Sequence, residues 1–144
     1  MITVPIADYG TDVNVLLPYQ GHYLVGLDPV FRIVSGPQVL LQACIKRLLT
    51  PPGSLAGAPD YGYDLRARLN STLRAGDLAA IELRAQKELV KDERIAQATV
   101  AASFAGNTLR VIAQITPRFG PTFALTLSLT AAAVPVVATS LVFA

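Results

Sequence analysis

The fold is decided by residues 95–117, which read IAQATVAASFAGNTLRVIAQITP. Two stretches of nearly equal length, Ile95–Ala105 and Thr108–Pro117, flank Gly106-Asn107, a dipeptide that suits the two-residue loop of a β-hairpin. Apolar and polar residues alternate along both stretches, which is the period of a strand with one buried face. The region therefore predicts two antiparallel strands, and Thr122–Thr130 predicts a third.

Residues 119–144, at the end of the chain, include no charged side chain. By length alone, this segment could cross a bilayer. Pro121 and Pro135 interrupt this run, and apolar residues alternate with small or hydroxyl residues from Phe123 onwards, which favours strands over a lipid-facing helix. No membrane anchor is therefore expected. The final apolar stretch, Val134–Phe143, predicts a fourth strand that lies either inside this domain's own sheet or against a partner chain.

Upstream of the hairpin, the apolar period becomes helical. Ser35 and Gln38 have the spacing of a capping box, Pro37 suits a first helical turn, and the Thr50-Pro51-Pro52-Gly53 sequence ends the helix. The buried face of this first helix is expected to comprise Leu41, Cys44, Ile45 and Leu48.

A second long helix is expected to begin at Asp77. Arg84 and Glu88, four residues apart on its outer face, predict an ordinary solvated ion pair. Asp64 is expected to cap a short helical piece, Leu65–Asn70. The buried face of the second helix is expected to comprise Leu78, Ile81, Ala85 and Leu89.

Helices followed by strands predict an α+β fold. We expect two main helices and a short one, packed on a small, mainly antiparallel sheet of three or four strands in the C-terminal third. Residues 1–34 are rich in turn formers and are expected to form an extended N-terminal arm with at most one short strand or helical turn. Residues 35–144 are expected to form a single domain, for which a chain of 144 residues is long enough.

The charge pattern excludes some functions. The chain has 12 Lys and Arg against 10 Asp and Glu. The basic residues form no stripe with aromatic interleaving, so nucleic-acid binding is not expected. Every carboxylate side chain lies before residue 95, so any acid–base chemistry would come from the first two thirds of the chain.

Candidates for catalysis or metal binding are few. His22 has no cysteine or carboxylate at ligand spacing, and Cys44 falls on an apolar helix face, so neither a metal site nor a cofactor site is expected. Asp60 and Asp64 lie beside tyrosines and would be the pair for a peptidoglycan-cleaving hydrolase. Turn formation at Asp60 and helix capping by Asp64 explain both residues without catalysis.

Asp92 and Glu93 follow the second helix, where the helix dipole disfavours acids. We expect the negative charges of these two acids to be compensated either by Arg94 or by a group on a partner.

Four segments in this order resemble a known family. They are SGPQVLLQA at residues 35–43, RLLTPPGSL at 47–55, PDYGYDL at 59–65, and DERI at 92–95. Together they resemble the baseplate-wedge and sheath-initiator family of contractile phage tails and related injection machines, over roughly residues 28–130. That family has Glu-Pro-Arg-Ile where its last helix meets its first strand. Here Asp92 stands for the Glu and Glu93 replaces the Pro.

The resemblance implies a structural, non-enzymatic protein of the virion, at the tail baseplate, assembled in the host cytoplasm. Its partners would be the tail sheath protein and the baseplate wedge and hub or tube-initiator proteins, with several copies around the tail tube. It would start sheath assembly by presenting a sheet for strand exchange with the first sheath ring. Some members are labelled tail lysozymes, which keeps the hydrolase as the alternative. The expected partner-binding residues are Asp92, Glu93, Arg94, Leu125, Leu127 and Leu129.

Overall fold

The computed structural model describes residues 9–70, 73–131 and 134–140. Within these residues the chain forms eight strands, two α-helices and one 3-10 helix. In chain order they are β1 (Thr11–Val13), β2 (Leu16–Tyr19), β3 (His22–Val25), β4 (Ile33–Ser35), α1 (Pro37–Leu49), the 3-10 helix (Arg66–Asn70), α2 (Ala75–Leu89), β5 (Ile95–Ala105), β6 (Thr108–Pro117), β7 (Phe123–Leu129) and β8 (Val136–Thr139).

Six strands form one antiparallel sheet in the order β2-β3-β8-β7-β6-β5. The strand nearest the C-terminus, β8, lies in the interior of the sheet, since it pairs with β7 on one side and with β3 on the other. Strands β1 and β4 form a separate antiparallel pair. The last strand was expected either inside this domain's own sheet or against a partner chain. In the structure it lies inside the domain's own sheet.

The predicted fold class is correct as α+β, but the predicted sheet is wrong in size and location. The sheet has six strands rather than three or four, and its strands come from both ends of the chain. Residues 1–34 were expected to form an extended arm with at most one short strand or helical turn, but their described part contains β1, β2, β3 and most of β4. The hairpin of β2 and β3 completes the large sheet because Tyr23 pairs with Val137, more than a hundred residues away.

The hairpin prediction is confirmed. Strands β5 and β6 have the predicted bounds, and Ala105 pairs with Thr108 across Gly106-Asn107. Gly106 has a φ of 62°, a conformation that costs a glycine nothing and that two-residue hairpin loops require. A bulge between Ile95 and Gln97 interrupts the register at the start of β5.

The core lies between the helices and one face of the sheet. Along β6 and β7 every second side chain is buried, as a half-buried sheet demands. On α1 the predicted apolar face is confirmed, while the predicted cap is not: Ser35 belongs to β4, and Gly36 occupies the N-cap position. Helix α2 begins at Ala75 rather than Asp77, and the Asp77 carboxylate accepts the Arg74 amide N–H at 2.9 Å from within the first turn.

A buried amide attaches the N-terminal strands to α1. Gln42 is fully buried on the helix and accepts the Val15 amide N–H at 3.1 Å. Its Nε2 donates to the Val13 carbonyl at 3.0 Å and to the Asp12 carboxylate at 3.1 Å. Asp12 also forms an ion pair with Lys46. Because a buried amide without partners is costly, these bonds fix strand β1 against α1.

The uncharged run at the end of the chain folds as β7 and β8 over the residues that are described. Residues 141–143, the end of the predicted fourth strand, lie outside the described residues. Neither α1 nor α2, nor any other helix in the described parts of the chain, has the length and apolar character needed to cross a membrane.

Candidate partner-binding site

Asp92 and Arg94 form a two-point ion pair where α2 gives way to β5. Arg94 Nε donates to Asp92 Oδ1 at 2.9 Å, and Arg94 Nη2 donates to Asp92 Oδ2 at 2.6 Å. The Arg94 backbone N–H also donates to Asp92 Oδ1, at 3.0 Å. Asp92 is buried and Arg94 is half-buried. Arg94 therefore compensates the charge of Asp92 at this helix end, which was one of the two arrangements that the sequence left open.

The pair is ionised near neutral pH. Burial alone would raise the pKa of Asp92, but the hydrogen bonds and charge of Arg94 outweigh it and lower the pKa. The same hydrogen bond from Arg94 to Asp92 raises the pKa of the guanidinium, although burial opposes it. Such bidentate, charge-assisted pairs hold their geometry well.

Arg94 also joins two distant parts of the chain. Its Nη1 donates to the Tyr9 carbonyl at 3.0 Å, which holds the first described residue against this corner. The Arg118 amide N–H donates to the Arg94 carbonyl at 2.9 Å, and Arg118 Nε donates to the Glu93 carbonyl at 2.7 Å. The Glu93 side chain is exposed. Residues 92–94 therefore connect the N-terminal segment, the end of α2 and the turn after β6.

An open cavity of about 420 Å³ lies beside this corner, lined by Arg47, Lys91, Asp92, Glu93 and Arg94. All five lining side chains are charged, so the cavity fits a polar or charged group of a partner rather than an apolar ligand.

Glu88, predicted to form a solvated pair with Arg84, is buried behind this cavity. Its Oε1 accepts the Gly62 amide N–H at 2.7 Å and Arg47 Nη1 at 3.2 Å, and its Oε2 pairs with Lys91 at 2.8 Å. Burial would raise the pKa of Glu88, but the bonds from Lys91, Gly62 and Arg47 lower it. The prediction of a surface pair is wrong because α2 turns this carboxylate toward α1.

The loop at residues 59–65 reaches the same place. The Arg47 guanidinium lies over the Tyr61 ring, with Cζ 4.6 Å from the ring centroid. Lys91 Nζ donates to the Asp60 carbonyl at 2.8 Å. Three of the four segments on which the resemblance rests, at 47–55, 59–65 and 92–95, thus meet around one cluster of charges. No single segment reveals this cluster in sequence.

Leu125, Leu127 and Leu129, the other expected partner-binding residues, are fully buried. They face the helices from β7, which lies between β6 and β8. The opposite face of the strand presents Thr126 and Ser128, which are half-buried.

The open edge of the large sheet lies at β5 instead. Among the described strands, β5 pairs with β6 alone. It is eleven residues long and has neither charge nor proline. The Val100 amide N–H points away from β6 and donates to the Gln86 side-chain carbonyl of α2 at 3.1 Å. Since alternate residues of an antiparallel strand point their N–H and C=O groups the same way, Ala102 and Phe104 direct theirs outward too.

The catalytic candidates do not come together. Asp60 is exposed, and Asp64 accepts the Ala67 amide N–H at 3.2 Å, as predicted for a cap of the short helix. His22 is exposed on β3. Cys44 is buried, and burial raises the pKa of its thiol to about 12. Across residues 9–70, 73–131 and 134–140, no group of three or more His, Cys, Asp or Glu side chains is placed to hold a metal ion.

Comparison with known protein families, curated proteins and solved structures finds no match for this chain.

Proposed function

We propose that this chain is a structural, non-enzymatic component of a contractile phage tail or a related injection machine. It stands at the junction of baseplate and sheath and starts sheath assembly by accepting a strand from the first sheath ring. The order of the sequence motifs at residues 35–65 and 92–95 supports the family. The observation that carries the mechanism is the long, uncharged, open edge of β5.

Strand addition at β5 follows from what the edge offers. The Val100 amide already donates to Gln86, so the outward amides and carbonyls beyond it, at Ala102 and Phe104, give main-chain hydrogen bonds to an extended segment. Alternate side chains give the register. Natural sheets usually protect such an edge with lysine, proline or a cover. The other edge strand, β2, is four residues long and contains Pro18, which lacks an N–H.

The corner at residues 92–94 would act as the second contact in this proposal. It lies at the start of β5, so a segment that adds to β5 passes the cavity lined by Lys91, Glu93 and Arg94. Charged groups there would set the orientation of the partner while the main chain supplies the affinity.

The test is an edge-blocking substitution in contractile particles from the source. Ser103→Lys places a charge on the exposed face of β5, and Gln114→Lys places the same charge on the exposed face of the interior strand β6. We expect Ser103→Lys to prevent sheath assembly and Gln114→Lys to allow it. Circular dichroism should show that both variant proteins are folded.

Antibody labelling of the particles checks the location independently. Signal confined to the baseplate end supports an initiator. Absence from the particles, or normal sheaths with Ser103→Lys, would contradict the proposal.

A further inference from the structure

The segment that leads from β3 into β4 presents an exposed apolar cluster. We call this segment the apolar loop; it comprises residues 27–33, and its last residue, Ile33, is the first residue of β4. Four large side chains project from it: Leu27 is 64% exposed, Val30 70%, Phe31 58% and Ile33 66%. Single exposed apolar residues are ordinary, but four within seven residues concentrate exposed apolar surface in one segment, as interaction sites do.

A buried carboxylate holds this loop in one shape. Asp28 is 1% exposed, and its Oδ1 accepts the Val30 amide N–H at 3.0 Å. Its Oδ2 accepts Arg32 Nε at 2.9 Å and Asn14 Nδ2 at 2.9 Å. The apolar side chains are therefore displayed on a preorganised backbone, which lowers the entropy that docking would cost.

Phe31 is strained as well as exposed. Its φ is 50°, a region that a bulky residue occupies only at a cost of about 1–3 kcal/mol. Asparagine or glycine would relieve that strain. Since more than half of the ring lies in solvent, the fold gains little from it, and a contact outside the chain accounts for a phenylalanine here.

A groove of about 430 Å³ opens beside the apolar loop, with both apolar and polar walls: Asn14, Leu16, Pro18, Tyr23, Arg32, Ile33, Val34 and Gln38. The loop and the groove share Arg32 and Ile33, so a projection and a recess lie side by side. A two-fold symmetric interface needs this arrangement, because each copy then offers what the other receives.

We propose that this patch binds a second copy of the chain, with the apolar loop of each copy lying in the groove of the other. The four side chains offer on the order of 500 Å² of apolar surface per copy. A symmetric pair therefore buries on the order of 1,000 Å² before the groove walls are counted, which reaches the size at which specific interfaces begin. Arg32 is already paired with Asp28 in its own chain, so two copies meet without unpaired like charges at this point.

This interface stands apart from the proposed function. The hairpin of β2 and β3 lies at one edge of the sheet and β5 at the other, five strand spacings or roughly 24 Å away. A dimer formed through the apolar loop leaves the β5 edge open. The test of the dimer is therefore independent of the proposed role in sheath assembly.

The experiment is sedimentation equilibrium of the purified chain over a concentration series, with Phe31→Asp and a matched control. Phe119→Asp is that control, because Phe119 is 73% exposed in the turn after β6, away from the apolar loop. We expect the wild type and Phe119→Asp to form dimers, and Phe31→Asp to dimerise at least about tenfold more weakly.

Phe31→Asn separates association from folding. It removes the ring and relieves the backbone strain at the positive φ, because asparagine tolerates this conformation better. We therefore expect a Tm equal to or higher than that of the wild type, together with weaker dimerisation. A wild type that stays monomeric throughout the series would overturn the proposal, and so would a Phe31→Asn protein that dimerises as well as the wild type.

Discussion

The α-carbon of Gly62 lies directly against the backbone of Thr50: a Cβ added at Gly62 would stand 2.2 Å from the Thr50 carbonyl oxygen. The neighbouring Tyr63 amide N–H donates to the Arg47 carbonyl at 2.7 Å. The loop at residues 59–65 thus docks on the last turn of α1 at a distance that no side chain permits. This contact explains the glycine of the Pro-Asp-Tyr-Gly sequence.

Gly62→Ala should destabilise the fold by about 2–4 kcal/mol, since it adds a backbone clash to a φ of 108°. Urea unfolding measures the loss. Gly57→Ala is the matched control, because Gly57 has a φ of 80° and nothing within 4 Å of an added Cβ. It should cost only about 1 kcal/mol. Equal losses in the two variants would show that the contact with Thr50 does not matter.

Arg94→Ala should lower stability by about 1–2 kcal/mol, because it leaves the buried Asp92 carboxylate without its partner. The cost is at the low end since 32% of the Arg94 side chain is exposed and water screens the pair. The pKa of Asp92 should rise at the same time, which carboxyl NMR titration would detect. An unchanged Asp92 pKa would argue against the ion pair.

Gln86→Ala should free the Val100 amide N–H at the edge of β5. We expect a loss of about 1 kcal/mol and faster hydrogen exchange at Val100. Lys87→Ala, a change at the exposed neighbour of Gln86, serves as the control and should leave that exchange rate unaltered. Slow exchange in Gln86→Ala would mean that another group protects the edge.

Acid should weaken the fold partly through Asp28. Hydrogen bonds from Asn14 and Val30, with the Arg32 pair, lower the pKa of Asp28 from 3.8 to about 2. Because the folded-state pKa is the lower one, this stabilisation is fully present above about pH 4 and disappears as the pH falls through 2. Unfolding measured between pH 2 and 6 should show a shallower pH dependence for Asp28→Asn than for the wild type. Parallel curves would contradict the assignment.

The sequence predicts well where local chemistry decides the structure. The β5–β6 hairpin was predictable because a two-residue turn joins two stretches of nearly equal length, and residues alternate with a period of two, most clearly along β6. The buried face of α1 followed from helical spacing in the same way. The starts of both helices were wrong, since capping residues occur near a helix end without fixing which position they occupy.

The N-terminal strands were not predicted because strands of three or four residues carry almost no periodic signal, even where the partner is local, as in the β2–β3 hairpin. The place of that hairpin in the large sheet depends on the pairing of β3 with the remote strand β8. Gln42 holds β1 against α1, and its position in the helix gives no sign of this contact because β1 lies about thirty residues away in sequence.

The candidate site was predictable only in part. Asp92 and Arg94 are two residues apart, so their pairing was one of the expected arrangements. The contact of Arg94 with Tyr9, the burial of Glu88 and the role of Gln86 all depend on packing between elements distant in sequence.

The interior position of β8 bears on how the protein is made. During synthesis β3 leaves the ribosome more than a hundred residues before its partner strand, and at about 10 residues per second it waits on the order of ten seconds. Until β8 is synthesised, the β2–β3 hairpin and β7 each have an edge without its native partner strand, and both edges can pair with non-native strands. A chaperone that holds the growing chain, or the rapid folding of β5–β7 around the helices, would therefore determine the yield of native protein.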